Sequence, residues 1–126
     1  MANFTYTLGF NWQTPGDSIA ANLVANGEVN LAINEDIVAN QTDHEIDAAI
    51  PVAPKLQAFL LYCDQNVTVK TNNSGAPTDT INLSAGVPFF WIGSGSVPLA
   101  GAITKFFVTN TTACTFQVRA LFNTSP

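Results

Sequence analysis

The stretch from Asn66 to Phe122 is a ladder of short apolar runs, each cut off by Gly, Pro, Asn or Ser. Runs of this kind fall near 66–71, 79–83, 87–92, 103–109 and 114–122. Strands this short, recurring at such spacing between turn residues, predict an all-β fold, an antiparallel sandwich or barrel, of which an antiparallel β-sandwich, jelly-roll-like, is the reading adopted. The last run is the clearest. Cys114, Phe116, Val118, Ala120 and Phe122 alternate with Thr115, Gln117, Arg119 and Leu121. Period-two alternation buries one face of a strand and leaves Arg119 facing solvent or an interface.

The first half reads the same way with more ambiguity. Phe4, Tyr6, Leu8, Phe10 and Trp12 alternate with Asn3, Thr5, Thr7, Gly9 and Asn11, which predicts a strand buried on one side. Thr14-Pro15-Gly16-Asp17 then forms a turn. Ser18 to Val24 fits a short helix or a strand. Asn26-Gly27 carries a hairpin-turn signal leading into a strand over 28–33. Residues 44–52 alternate again, and Pro51 and Pro54 predict an edge or a bulge there. Residues 55–63 are almost continuously apolar, as in a central strand covered on both faces. The total is eight to ten strands and at most one short helix in a single domain, 1–126. The segment 92–101, rich in Gly and Ser, reads as a loop.

Charge narrows the function. Only 10% of the 126 residues are charged, the net charge is −5, and the cations are Lys55, Lys70, Lys105 and Arg119. Nucleic-acid binding needs clustered Lys and Arg, so it is not expected, and an anionic membrane surface is disfavoured for the same reason. A neutral surface of Asn, Thr, Ser, Gln and Ala is easily dehydrated and suits assembly. No 18-residue apolar run predicts a transmembrane helix, and Met1 to Tyr6 lacks the pattern of a secretory signal. Cys63 and Cys114 are expected as reduced, buried thiols, bridged only if their strands are neighbours. The Asn-x-Ser/Thr triplets fit an Asn/Thr-rich β-protein rather than glycosylation.

Little in the sequence points to chemistry. Asp43-His44-Glu45-Ile46-Asp47 is the one dense titratable cluster. On a strand, Asp43, Glu45 and Asp47 share a face that either holds Ca²⁺ or is a solvated acidic edge discouraging aggregation, the second being favoured. No transition-metal site is expected. His44 belongs to no nucleophile pattern, and Gly93-Ser94-Gly95-Ser96 has neither the elbow context of a hydrolase nor the Lys of a phosphate loop. No catalytic residue, metal or cofactor is assigned. Aromatic residues are the other candidates. Phe89, Phe90 and Trp91 are consecutive, so at least one faces away from the main core, and Trp12 ends the first strand beside a turn. These four are the predicted subunit or partner contacts, since exposed aromatics anchor interfaces or stack on sugar rings.

The motifs Val-Thr-Val-Lys-Thr-Asn (67–72), Pro-Thr-Asp-Thr-Ile-Asn-Leu-Ser-Ala-Gly-Val-Pro-Phe-Phe-Trp (77–91), Ile-Thr-Lys-Phe-Phe-Val-Thr-Asn-Thr-Thr (103–112) and the closing 114–122 strand resemble small β-proteins encoded beside the major capsid protein of tailed bacteriophages. The resemblance covers a little under half of the chain. It is to capsid decoration, or cement, proteins, and it implies a virion protein made in the host cytoplasm and placed on the outer capsid surface. It further implies a homotrimer that staples neighbouring major capsid protein subunits. The alternative carried by the residues themselves is a carbohydrate- or receptor-binding module of a phage tail or fibre.

Overall fold

The computed structural model describes residues 4–52, 55–92 and 98–123, apart from the side chains of Phe10, Trp12 and Thr14. It contains ten strands and, among the described residues, no helix. A long hairpin comes first, β1 (Phe4–Thr14) and β2 (Asp17–Gly27). Eight strands follow: β3 (Val29–Ile37), β4 (His44–Ile50), β5 (Leu56–Cys63), β6 (Val67–Thr71), β7 (Thr80–Leu83), β8 (Phe89–Ile92), β9 (Ile103–Asn110) and β10 (Cys114–Phe122). The five strands expected in the last half lie within two residues of their expected ends. Ser18 to Val24 resolves as strand.

The eight later strands form two four-stranded antiparallel sheets, ordered β3-β10-β5-β8 and β4-β9-β6-β7. From β3 onward every connection except β6–β7 crosses from one sheet to the other. Two interlocked Greek keys of this order make a jelly roll. Inward-facing residues of both sheets fill the space between them: Phe59, Leu61, Phe116 and Val118 from the first, Ile46, Val69, Ile81, Phe106 and Val108 from the second. Phe106 and Phe116 meet edge to face across the sandwich, with ring centres 5.7 Å apart. Burying such rings supplies most of the driving force for closing the two sheets.

Three local features depart from the simple pattern. The β5–β10 register slips between Leu121 and Phe122, so Leu56 joins Phe59 in the core while Ala58 faces outward. In β4 the register slips between Asp47 and Ile50, a bulge just before Pro51, and β4 is an edge strand as expected. The Asn26-Gly27 expectation requires correction. This pair joins two strands of different sheets, because β2 pairs with β1 while β3 pairs with β10. Gly27 is needed for close approach instead: a Cβ there would lie 2.8 Å from Leu121 Cγ and 3.1 Å from the Phe122 nitrogen. The Glu28 N–H then donates to the Phe122 carbonyl, and the chain enters β3.

Loops are held by asparagines. Asn72, at φ 71°, donates through Nδ2 to the Ala102 carbonyl and to Thr78 Oγ1, and its Oδ1 accepts from the Thr104 N–H. Asn110 is buried and donates to the Val38 and Thr112 carbonyls while accepting from the Gln41 N–H. Each thus satisfies backbone groups that a loop would otherwise leave unpaired.

Candidate interaction site

The β1–β2 hairpin is an arm. Its strands pair along their full length, from Phe4 with Gly27 to Thr14 with Asp17, around a Pro15-Gly16 turn in which Gly16 adopts φ 86°. Eleven residues at about 3.4 Å each give roughly 37 Å of ribbon. Among the described residues, the part seen to be seated is the root. Ala25 packs with Ala58 and Leu121 on the outer face of the β3-β10-β5-β8 sheet, with Tyr6 and Ile92 beside them. This outer cluster explains why 55–63 is apolar on both faces.

The two faces of the arm differ. On one, Thr5 Oγ1 donates to Asn26 Oδ1 at 2.7 Å, and Asn22 lies over Gly9. On the other, Tyr6 sits opposite Ala25 and Leu8 opposite Leu23, and the row continues to Ile19. Ile19 is 54% exposed and Leu23 39%. Of the eight exposed large apolar side chains among the described residues, four lie on the arm (Phe4, Ile19, Leu23, Val24) and a fifth, Phe90, lies on the sheet at the arm's root.

Beside that root is an open cleft of about 250 Å³. Its floor is two neighbouring rows of the sheet, Ala58-Ile92 and Arg119-Leu60-Phe90, and Tyr6 and Leu8 form its wall. Among the described residues, Arg119 is the only charged one lining it. The guanidinium donates to the Ile33 and Val118 carbonyls and to Asn34 Oδ1, and among the described residues it has no carboxylate partner. Burial raises the Tyr6 phenol above its ordinary value, with Arg119 acting in the opposite sense. The Tyr6 hydroxyl and the Trp91 indole nitrogen are buried with no hydrogen-bond partner among the described residues.

The predicted contact residues separate. Phe89 packs on Phe59 with ring centres 5.7 Å apart, and Trp91 packs against the core, both half-buried. Phe90 turns outward at the lip of the cleft, 42% exposed. Trp12 pairs with Ile19 in the arm; its side chain lies outside the described residues, as do residues 93–97, where a loop is expected from the sequence. Sequence reasoning missed Ile19, Leu23, Leu60 and the root of the cleft. The alternation of Ile19, Ala21, Leu23 and Ala25 was the available signal: it matches the first strand's own period and continues it across the turn.

The titratable groups of the 43–47 row are paired. Lys105 Nζ lies 2.7 Å from Glu45 and 3.5 Å from Asp47, and Lys70 lies 3.4 Å from Asp43. The Glu45 contact, foremost, raises the Lys105 ammonium above its ordinary value. The acidic row is therefore an interleaved ion-pair edge. His44 Nε2 is 2.9 Å from Glu35. Among the described residues, one group has ligand atoms close enough to share a metal, within 4.8 Å of one another: Cys63, Asp64 and Cys114. The cysteines lie on adjacent strands and are unbridged. Burial, and then neighbouring Cys114, push the Cys63 thiol up to about 11, so it keeps its proton at neutral pH and packs as a small apolar side chain.

Comparison of the chain with protein-family models, with curated proteins and with solved structures finds no match.

Proposed function

We propose that this protein is a virion structural protein, a capsid decoration protein whose jelly-roll body sits on the outer shell and whose arm ties neighbouring subunits together. The observation that carries the reading is the arm. An isolated two-stranded ribbon is marginal in water, and this one extends well beyond its seat with an apolar face uncovered. Such an element gains its stability from a partner. The sparse charge of the surface and the sequence style of 66–122 support a shell as the setting. The proposed mechanism is multivalent burial: several weak contacts per oligomer act together on adjacent major capsid subunits.

A sugar-binding role is less well served. The cleft offers an exposed ring, but its walls are apolar apart from Arg119 and the threonine and tyrosine hydroxyls. Sugar recognition needs several converging polar groups beside the stacking ring.

The test is the heat resistance of capsids with and without the purified protein. Bound protein is expected to raise the temperature at which the shell opens, and Leu23→Asp, on the exposed part of the arm, to lose the effect. Equal opening temperatures with and without bound protein would overturn the stapling role.

A further inference from the structure

We propose that the arm of one protomer docks on a second copy of this chain, with Ile19 and Leu23 entering the cleft beside the recipient's own arm root and Asp17 meeting Arg119. The inference deepens the structural reading above and rests on it only in treating the arm as an interface.

Three observations choose a second copy. The first is apolar matching within one molecule. The uncovered side chains cluster on the arm, and an open apolar cleft, lipped by exposed Phe90, lies on the same chain. The second is charge. Asp17 is the only charged residue of the arm, and Arg119 the only one lining the cleft. Neither has an ion-pair partner among the described residues. A protomer of net charge −5 repels its copies, so contact is favoured where acidic residues are absent. The row at Asp43, Glu45 and Asp47 lies at and before β4, in the other sheet.

The third is area. The arm beyond Leu8 and Leu23 is about 18 Å long and about 10 Å wide, which is roughly 200 Å² in projection and about 400 Å² of accessible surface. Each arm–cleft contact therefore covers about 800 Å² in total, half of a standard interface, and each protomer of a closed ring is held by two such contacts, one through its arm and one through its cleft. Arm and cleft are different surfaces, so the contact is head-to-tail. It closes into a ring when the rotation permits, and three copies would meet the three-fold site of a shell.

Light scattering behind a sizing column, over a range of concentrations and without capsids, tests this. The wild-type protein is expected to form a closed oligomer. Ile19→Asp places a carboxylate in the apolar cleft and is expected to weaken association about a hundredfold, with the circular dichroism spectrum unchanged because Ile19 lies outside both cores and melting lowered only to that of the dissociated protomer. Asp17→Arg is expected to weaken it about tenfold, and Asp17→Arg with Arg119→Glu to recover most of that loss. Mixing Ile19→Asp (sound cleft) with Leu60→Asp (sound arm) is expected to give dimers where each alone is monomeric. A wild-type monomer at every concentration, or an Ile19→Asp variant as oligomeric as wild type, would overturn the inference. If that monomer still protected capsids, the stapling reading would stand alone. An oligomer that never protected capsids would leave self-docking and remove the stapling.

Discussion

Gly27 meets Leu121 at a distance that excludes any side chain: a Cβ would sit 2.8 Å from Leu121 Cγ, and Leu121 is fully buried. This is where the arm leaves the sandwich. Gly27→Ala is expected to cost about 1–3 kcal/mol by overpacking, lowering the denaturation midpoint with little change in slope. Combining it with Leu121→Ala is expected to be less than additive, since the truncation removes the atom that clashes.

Asn110 is a donor to two carbonyls and an acceptor from one N–H while 5% exposed. Asn110→Asp keeps the shape but turns an oxygen toward the Val38 and Thr112 carbonyls. Two lost hydrogen bonds and a buried charge are expected to cost about 3 kcal/mol or more at neutral pH. The deficit should shrink in acid, where the introduced carboxyl is protonated and donates again. Melting temperature as a function of pH, for this variant and the wild type, measures both effects.

Cys63 links stability to alkaline pH. Its thiol titrates near 11 in the folded protein against an ordinary value of 9.0. The unfolded chain therefore loses this proton first, and bound protons in the native state exceed those in the unfolded state between the two values. Stability from this source is full below pH 9 and falls as pH rises from about 9 to about 11. Cys63→Ala is expected to be less stable at neutral pH, through its cavity, and to lose part of this alkaline slope. In the native wild type, alkylation by iodoacetamide at pH 8 is expected to be slow, and fast once denaturant is added.

The ion-pair edge makes a prediction about Ca²⁺. Lys105 already occupies the space between Glu45 and Asp47, and Lys70 holds Asp43. Millimolar Ca²⁺ or a chelator is expected to leave the melting temperature unchanged. A Ca²⁺-dependent rise of several degrees, abolished by Asp47→Asn, would show a site assembled from this row.

Much of the sandwich was legible because its signals are local. The alternation in 114–122 and the turn residues around 67–71 and 80–83 depend on each strand's own faces, and the strands appear there. What was not legible depends on distant residues. Asn26-Gly27 looks the same before a hairpin partner as before a crossing to another sheet, and only Leu121, far along the chain, decides between them. Ser18 to Val24 is small and mildly apolar, and pairing with β1 settles it as strand. Cys63 and Cys114 meet because β5 and β10 are neighbours, a matter of strand order that no spacing encodes. The contact aromatics were half-legible: three in a row required one to face outward, but only the β5–β8 register selects Phe90 over Phe89 and Trp91.

The pairing of β3 with β10 has a consequence in time. As the chain is synthesised, β3 waits for its sheet neighbour until β4 to β9 have been made, and so does the arm, whose footing includes Leu121. Non-local closure of this kind is slow. The hairpin is made first, yet it has no footing and points nowhere definite until β10 is in place. A chain cut short before β10 would carry an apolar ribbon with no fixed direction, and only the closed sandwich can aim it.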